Sequence, residues 1–315
     1  MKILVSGVGG DVAQSVLQIL KSAHPNYEFH GCDQSDHHGG SIFLSKFFLS
    51  PTSENPNFFD WTADLIRKEK YDLYIPIPEP ELRVIAANPM NKILEVAGDL
   101  GTKVIWAGEK IVNQFADKFT TFLFLESIGV GVAKTWLPAV DLSMLPLPLI
   151  VKPSRSSGSR SVFMCLTLAE VSAALLLTEN PVIQEYIPST DSEFTCIIYK
   201  FDQSECRILI FHRYLSGGTT SWARVESEPR ILEECKRLAT ALELNGSINV
   251  QLRVSKERVA IFEVNPRFSS TVLMRHLIGF TDVLWSTGSP VNLTQQEIQL
   301  LAGQTIARQI SSRVL

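Results

Sequence analysis

The chain has 315 residues, with 29 Lys and Arg against 33 Asp and Glu, and a formal net charge of −4. At roughly 100 to 200 residues per domain, this length predicts about two domains with a substantial core. The slight acidic excess argues against a general nucleic-acid-binding protein, since phosphate binding favours a basic surface. The five cysteines never form a Cys-x-x-Cys pair, which argues against a disulfide framework or a zinc site and favours a reducing compartment.

No apolar run reaches the roughly 20 residues that a membrane helix needs. The N-terminal segment MKILVSGVGG leads into a strand and a glycine turn instead of the apolar core of a signal peptide. We therefore expect a soluble, cytoplasmic protein with neither membrane nor nucleic acid as a partner. A homodimer is one option for its assembly.

Short β-branched runs alternate with amphipathic stretches over the first 110 residues. In chain order they predict strand Lys2–Ser6, helix Val12–Ser22, strand Glu28–Cys32, helix Asp60–Glu69, strand Leu73–Ile77, helix Leu82–Ala97 and strand Lys103–Trp106. This alternation predicts a parallel sheet covered by helices. Ligands bind beyond the carboxyl ends of such strands, so we expect a rim formed by Gly7–Asp11, Asp33–Asp36 and Pro78–Glu81.

The first glycine turn admits two interpretations. Gly7 and Gly9, with Asp33 at the end of the second strand, suggest a dinucleotide site in which the acid holds a ribose. Val12, however, occupies the position of the third small residue. A tight turn between strand and helix explains the same glycines.

The pattern changes after about residue 111. It predicts helix Lys110–Ile128, strands Leu149–Lys152 and Ser161–Cys165, helix Leu168–Leu177, strands Val182–Tyr186, Phe194–Lys200 and Arg207–Tyr214, a turn at Ser216–Thr220, helix Ile231–Leu242, strands Ile248–Val254 and Val259–Val264, and a helical segment Gln295–Arg313. Antiparallel hairpins interleaved with helices indicate an α+β domain.

Polar side chains recur at every second position of the last two predicted strands. Asn249 and Gln251 share a face of one strand, and Glu263 and Asn265 share a face of the next. Oxygen ligands suit Mg²⁺, which takes one or two carboxylates together with substrate phosphates. Arg267 follows as a fixed-charge fork that can hold a phosphoryl group. A surface hairpin with an Asn-Pro turn is the alternative, but inward polar groups on apolar strands are costly unless occupied.

Two further segments have the chemistry of a nucleotide site. Lys152 ends an apolar strand and opens into the loop Ser154–Ser161, SRSSGSRS, whose amides, hydroxyls and guanidinium groups can cradle an anion. A flexible basic loop explains that segment equally well. Downstream, a purine could bond backbone groups near Glu185 and Ile187 while Glu193 accepts from ribose hydroxyls. Two solvated acids would give the same spacing.

Taken together, the motifs resemble the ATP-grasp superfamily in order and spacing. They are FADKF with Lys118, VKP with Lys152, the serine loop, QEYI followed by SEFT, and NVQ with FEVNPRFSS. The last motif is similar to one synthetase unit of the carbamoyl-phosphate synthetase large subunit and to stand-alone amino-acid ligases.

The resemblance implies a role for each matching residue. ATP would be held by Lys118, Lys152, Ser157, Gly158, Glu185, Ile187, Glu193, Gly218 and Thr219. Mg²⁺ or Mn²⁺ would be held by Gln251, Glu263 and Asn265. Arg267 and Lys152 would act on the transferred phosphoryl group.

The resemblance also implies the architecture and the reaction. A Rossmann-like α/β pre-ATP-grasp domain over residues 1–112 would precede an ATP-grasp domain over 113–315, made of two α+β subdomains, 113–187 and 188–315. The expected activity is ligation of a carboxylate to an amine through an acyl phosphate, with release of ADP and phosphate. A silent ATP-binding sensor and an NAD-binding oxidoreductase are the alternatives. We place the substrate pocket near Gly9, Glu79, Glu81 and Arg275.

Overall fold

The protein is described from a computed structural model over residues 1–88, 91–155, 161–188, 193–201, 205–255 and 258–309. Within these ranges no helix combines the length and the apolar character needed to cross a bilayer. Three sheets follow one another along the chain.

The first sheet has five parallel strands in the order β3-β2-β1-β4-β5. The first part of the chain consists of β1 (Lys2–Ser6), α1 (Asp11–Ala23), β2 (Glu28–Asp33), β3 (Lys46–Leu49), α2 (Phe58–Glu69), β4 (Leu73–Ile75), α3 (Glu79–Ala87), α4 (Lys92–Leu100) and β5 (Lys103–Val104). The predicted parallel sheet is confirmed. Strand β3 was not predicted, because its short KFFL run lacks alternating polarity.

Both faces of this sheet are buried, as is typical of parallel sheets. Ile3 and Val5 face the apolar side of α1, whereas Leu4, between them, faces Ile66 of α2. The core on the α1 side also takes in apolar side chains from near the end of the chain, among them Val272 and Val283. The last third of the chain therefore packs against the first sheet.

The single helix predicted over Leu82–Ala97 is wrong, since two helices cover this stretch. Asn91 is the N-cap of α4, where its Oδ1 accepts from the Leu94 N–H at 3.0 Å. The Asn91 amide also donates to the Ile85 carbonyl at 3.0 Å. One asparagine thus caps the second helix and satisfies a terminal carbonyl of the first, which a periodicity argument does not detect.

The second sheet has four antiparallel strands in the order β6-β9-β7-β8. This part consists of α5 (Glu109–Phe115), α6 (Lys118–Ser127), β6 (Thr135–Trp136), β7 (Leu149–Pro153), β8 (Phe163–Cys165), α7 (Leu168–Leu177) and β9 (Pro181–Glu185). The single helix predicted over Lys110–Ile128 is wrong as well. Asp117 interrupts it and caps α6, accepting from the N–H groups of Phe119 and Thr120.

The third sheet has six strands in the order β14-β13-β10-β11-β12-β15. Its part of the chain consists of β10 (Glu193–Lys200), β11 (Arg207–Ser216), β12 (Thr219–Glu226), α8 (Pro229–Ala241), β13 (Gly246–Val254), β14 (Val259–Asn265), α9 (Val272–Leu277), α10 (Asp282–Ser286), α11 (Gln295–Leu300) and β15 (Thr305–Ala307). The division into domains at residues 112 and 187 stays a prediction, although the sheets lie over residues 2–104, 135–185 and 193–307.

Two predictions for this last part need correction. The helix predicted over Gln295–Arg313 ends at Leu300, and Gly303, with φ of 90°, turns the chain into β15, which pairs with β12. Residues beyond 309 lie outside the described ranges. Strand β12 was also missed, because its first residues were assigned to the turn before it.

Gly40 tests the packing of the first sheet. A Cβ added there would lie 2.1 Å from the Val8 carbonyl oxygen, whereas one added at Gly98 in α4 meets nothing within 4 Å. We expect Gly40→Ala to lower the free energy of unfolding by about 1–3 kcal/mol or more. Gly98→Ala, the matched control, should raise it by about 0.5–1 kcal/mol. Urea denaturation measures both, and equal effects would contradict this packing.

Candidate functional site

A cavity of about 750 Å³ is lined by side chains from all three sheets. Its size lies within the range of small-molecule sites. Most of the residues predicted for the site line it: Glu79, Lys118, Lys152, Glu185, Ile187, Glu193, Gly218, Thr219, Gln251, Glu263, Asn265 and Arg267. Residues separated by almost 190 positions in sequence therefore meet around one space.

The predicted metal ligands lie on the paired strands β13 and β14. The antiparallel register places Gln251 opposite Glu263 and Asn249 opposite Asn265. All four line the cavity. The Asn249 amide donates to Thr195 Oγ1 at 2.6 Å, so it also ties β13 to β10. The two-residue period thus brings the predicted oxygens together.

Three cationic side chains face these oxygens. Gln251 Oε1 accepts from Arg213 at 2.9 Å, and Asn265 Oδ1 accepts from Arg267 at 3.1 Å. Glu263 Oε1 lies 3.8 Å from Lys118 Nζ.

One carboxylate and two amide oxygens fit a Mg²⁺ ion that completes its shell with waters and phosphate oxygens. Each amide oxygen keeps a second lone pair for this purpose. Among the described residues no cluster of three or more His, Cys, Asp or Glu side chains could hold a metal on its own. The donor set therefore suits a metal brought in with a phosphate ligand.

Arg267 connects the metal strands to the first sheet. Its Nη2 donates both to Asn265 Oδ1 and to Glu79 Oε2, the latter at 3.2 Å. Glu79 lies in the first turn of α3 and also pairs with Arg83 at 3.1 Å. The predicted phosphoryl-binding arginine is thus held at the cavity wall by a partner from the other end of the chain.

Lys152 lies on β7 with only 6% of its surface exposed. Its Nζ donates to Gln184 Oε1 at 2.8 Å and lies 5.7 Å from the centroid of the Phe262 ring. Burial lowers its pKa to about 8, with the charges of Lys118 and Arg253 acting in the same direction and Glu263 opposing them. Among the described residues no carboxylate forms an ion pair with this ammonium, and an anion entering the cavity would supply that charge.

The start of the predicted phosphate loop is anchored to α6. Ser154 Oγ donates to the carboxylate of Asp117, and the Lys118 N–H donates to the Ser154 carbonyl at 3.0 Å. These bonds hold Lys118 beside Glu263. Ser157 and Gly158 lie outside the described residues, so their predicted contact with ATP stays a prediction.

The predicted adenine edge lies at the end of β9. The Glu185 side chain pairs with Arg258 at 2.6 Å and accepts from the Lys134 N–H at 2.5 Å. The Ile187 carbonyl accepts from Arg253 at 3.1 Å. The Glu185 carboxylate is engaged, and the Glu185 N–H donates to the Lys134 carbonyl at 2.9 Å, so the predicted adenine contact at this residue stays a prediction.

Glu193, the predicted ribose ligand, lies between two arginines. Arg213 approaches its Oε1 at 2.7 Å and Arg253 its Oε2 at 2.9 Å. Burial alone would raise the pKa of this carboxyl, but the two guanidinium groups outweigh it and lower the pKa. Glu193 is therefore an ionised, fixed acceptor at the cavity wall.

The residues of this wall that sequence reasoning missed include Gln184, Arg213 and Arg253. Arg253 shared the two-residue period of Asn249 and Gln251, so the pattern contained a signal for it. Arg213 and Gln184 reach the cavity only because of the strand pairing, which single-strand periodicity does not show.

The SGGTT turn joins β11 to β12. Gly217 and Gly218, with φ of 57° and 79°, occupy the left-handed region that a tight hairpin turn requires. Gly218 and Thr219 line the cavity, as the resemblance implied.

The first glycine turn closes one end of the cavity. The Gly9 N–H donates to Asp33 Oδ2 at 2.8 Å. This hydrogen bond uses one oxygen of the carboxylate that the dinucleotide interpretation assigns to a ribose. A Cβ at Gly7, where φ is 67°, would lie 2.5 Å from Pro78 Cγ. Close packing against Pro78 explains the first glycine. Gly9 itself does not line the cavity, although Gly7 and Gly10 do.

The prediction that Arg275 lines the substrate pocket is wrong. Its guanidinium is 1% exposed, and it forms a two-pronged ion pair with Asp282 at 2.8 and 2.7 Å. It also donates to Ser269 and Thr271, which do line the cavity. Arg275 therefore supports the cavity wall from behind.

Glu81 lies outside the main cavity, in a smaller pocket beside it. Tyr74 donates its hydroxyl to the Glu81 carboxyl. Burial raises the Glu81 pKa to about 7, with a further rise from Asp33, while the hydrogen bonds of Tyr74 and Ser6 oppose the shift. The sequence prediction placed Glu79 and Glu81 in one substrate pocket. In the structure Glu79 lines the main cavity, whereas Glu81 lines the smaller pocket.

Comparison with known proteins agrees with this geometry. Residues 115–271 match the family model of the ATP-grasp domain. The predicted resemblance is confirmed: residues 115–271, about half of the chain, form a domain of the ATP-grasp family.

The relatives are synthetases and ligases. A carbamoyl phosphate synthase large chain, C-terminal section, from Aquifex aeolicus is 23% identical over an alignment of 238 residues that covers 69% of this chain and 43% of that protein. The chain therefore spans less than half of that curated relative.

Solved structures share the fold. N5-carboxyaminoimidazole synthetase from Staphylococcus aureus, complexed with ADP, has a TM-score of 0.73 at 13% identity, covering 92% of this chain and 78% of that one. An L-amino acid ligase from Bacillus licheniformis has a TM-score of 0.71 at 16% identity, covering 94% and 75%.

The burial of Glu81 predicts a pH-dependent stability. Its pKa rises from 4.5 to about 7 on folding, so the native state holds the proton more tightly. Stability from this group is present below pH 4.5 and is lost as the pH rises to 7, amounting to about 3 kcal/mol. Glu81→Gln should therefore be more stable than the parent at pH 8 and similar to it near pH 4.5.

Urea unfolding at several pH values measures the difference. The exposed Glu95→Gln variant is the control and should keep the parent's pH profile. Parallel profiles for the parent and Glu81→Gln would show that the carboxyl is not desolvated.

Proposed function

We propose that the protein is an ATP- and Mg²⁺-dependent carboxylate–amine ligase that works through an acyl phosphate. The observation that most supports this proposal is the arrangement of the predicted metal ligands. Gln251, Glu263 and Asn265 lie on paired strands, with Arg267 beside them and Lys152 on the same cavity wall. ATP-grasp membership supports this assignment.

The nucleotide would lie with its base along the end of β9 and its ribose at Glu193. The triphosphate would then run toward Lys118 and Lys152. Its charge would supply the buried Lys152 ammonium with the anionic partner that it lacks. The metal would neutralise the β- and γ-phosphates and would be held by Gln251, Glu263 and Asn265.

In the first step a substrate carboxylate oxygen attacks the γ-phosphorus, and the bond to the ADP oxygen breaks. Arg267 offers a planar, permanently charged fork to the phosphoryl oxygens. Lys152, which is 6% exposed, would add a second cation shielded from water, where such charges act strongly. An amine then attacks the acyl carbon, loses a proton, and displaces phosphate to leave an amide. Positioning and charge stabilisation suffice here, so no protein nucleophile is needed.

A silent ATP-binding sensor is the second candidate. It is favoured by the single carboxylate among the metal ligands and by the guanidinium groups that approach Gln251 and Asn265. Release of ADP on addition of an acid and an amine separates the two functions, because a sensor binds ATP without this release.

Glu263 tests the metal assignment. Glu263→Gln keeps the size of the side chain and removes its charge, so Mg²⁺ should no longer strengthen ATP binding. We expect ADP release to fall by roughly 100-fold or more. Calorimetric titration with ATP, with and without Mg²⁺, measures the first effect without knowledge of the substrates.

Glu226→Gln is the matched control, since Glu226 pairs with Arg224 on β12 and does not line the cavity. It should behave like the parent protein. An unchanged Mg²⁺ effect in Glu263→Gln would remove this residue from the metal site.

The lowered pKa of Lys152 leads to a prediction of how ATP affinity changes with pH. Its pKa of about 8 in the free protein means that the ammonium is lost as the pH rises further. A bound phosphate would raise that pKa, so binding takes up a proton above pH 8. The ATP dissociation constant should then increase by up to about tenfold per pH unit.

Binding measured between pH 7 and 9.5 gives this slope. Lys152→Met should bind weakly and lose the slope, whereas Lys92→Met, on the exposed surface of α4, should keep it. A parent protein whose affinity does not change over this range would contradict the assignment of Lys152 to the phosphates.

A further inference from the structure

A second, smaller pocket opens beside the main cavity at the carboxyl edge of the first sheet. We call it the side chamber; it has a volume of about 70 Å³. Gly7, Asp33, Pro78 and Pro80 line both the side chamber and the main cavity. The remaining polar and aromatic walls of the side chamber include Ser6, Ser53, Phe58, Trp61, Thr62, Tyr74 and Glu81.

Two carboxyl groups line the side chamber, and no ion pair joins either of them to a cation among the described residues. Glu81 accepts from the hydroxyl of Tyr74, which is neutral. Asp33 accepts from the backbone N–H groups of Gly9 and Ser35 at 2.8 and 3.2 Å. Glu81 is 6% exposed, whereas Asp33 is half-buried. Buried acids usually have a cationic partner, so Glu81 in particular stands without one among the described residues.

Two buried hydroxyls of the side chamber also lack a partner. Ser53 is 7% exposed and Thr62 is 2% exposed, and neither Ser53 Oγ nor Thr62 Oγ1 has a hydrogen-bond partner in the part of the chain described. A buried polar group without a partner is costly, and most such groups bind water or a ligand. The hydroxyls are independent of the acids and point to an occupant that makes hydrogen bonds.

The rest of the wall suits a small cation. Phe58, Trp61 and Tyr74 offer aromatic rings, whose faces attract ammonium groups. The side chamber has room for about two groups of the size of water, at roughly 30 Å³ each. An ammonium group with a short length of carbon chain fits this space, whereas a phosphate would meet two acids.

Glu79 differs from Glu81 in this respect. Its carboxylate already pairs with Arg267 and with Arg83. A substrate amine that entered the main cavity would therefore find both Glu79 oxygens in ion pairs, whereas no cation among the described residues pairs with Glu81 or Asp33.

We propose that the side chamber binds a primary ammonium group carried by the amine substrate, with Glu81 and Asp33 as its anionic partners. The substrate class is then a short diamine or an amino acid with a terminal amino group. One nitrogen occupies the side chamber, and the reacting group extends past Pro78 into the main cavity. The role in substrate binding rests on the proposed ligase function, but the ammonium site itself does not.

The experiment detects binding directly and needs no turnover. Full-length protein is labelled with 5-fluorotryptophan, and ¹⁹F spectra follow its five tryptophans. Trp61→Phe assigns the signal from the side chamber. The probe is 1,3-diaminopropane, compared with the neutral 1,3-propanediol, each titrated with and without Mg·ATP.

We expect the diamine, and not the diol, to shift the Trp61 signal in a saturable way. Glu81→Gln should weaken diamine binding by at least about tenfold, as for loss of an ion pair worth about 1.4 kcal/mol or more. Thr62→Val should weaken it less, and Glu226→Gln, which lines neither the main cavity nor the side chamber, should leave the Trp61 titration near that of the parent. Mg·ATP affinity, measured in parallel, should be the same in Glu81→Gln and in the parent.

Three results would overturn the ammonium site. They are no shift of Trp61 by the diamine, an equal response to the diol, and a diamine titration that Glu81→Gln leaves unchanged. The outcomes also separate this inference from the proposed function. Diamine binding without ADP release from any acid and amine would leave the ammonium site standing and reject the ligase. ADP release without diamine binding would do the reverse.

Discussion

The register between β13 and β14 is the constraint on which the site depends. With Gln251 opposite Glu263 and Asn249 opposite Asn265, the polar atoms of two otherwise apolar strands face one space. A shift of β14 by one residue would turn Glu263 and Asn265 toward the apolar core on the other side of the sheet, where Val250 and Val264 now pack. The hydrophobic core therefore fixes the position of the polar groups, and the energy of burying the alternate residues maintains the geometry of the site.

Charge compensation shapes the rest of the wall. Glu193 between Arg213 and Arg253 is a buried network that adds little net stability but positions three side chains within hydrogen-bonding distance. Lys152 differs, since its nearest polar partner is the neutral Gln184. In the part of the chain that the structure describes, the cavity thus combines paired charges with a lysine ammonium, Lys152, that has no ion pair.

Much of this could be predicted from sequence because the relevant signals are local. The period of two on β13 and β14 placed the oxygens, and the βαβ alternation gave the parallel sheet. The errors arose where a single side chain overrides periodicity, as Asn91 and Asp117 do when each begins a new helix. Other errors arose where the position of a side chain depends on its contacts with a different element of the fold. Arg213 meets Glu193 through the pairing of β10 with β11, and Arg275 is buried because Asp282 lies beside it in the fold. Neither contact has a signature in the segment that contains the arginine.

The contact between Arg267 and Glu79 has a consequence for the order of events in the cavity. The same guanidinium nitrogen of Arg267 donates to Asn265 and to Glu79. A phosphoryl group that bound this nitrogen would therefore compete with the Glu79 carboxylate. In the proposed reaction, a phosphoryl group bound by Arg267 would replace Glu79 and leave that carboxylate without this partner. Phosphate binding at Arg267 would thereby change the charge at the edge of the first sheet, where the second substrate of the proposed ligase would enter.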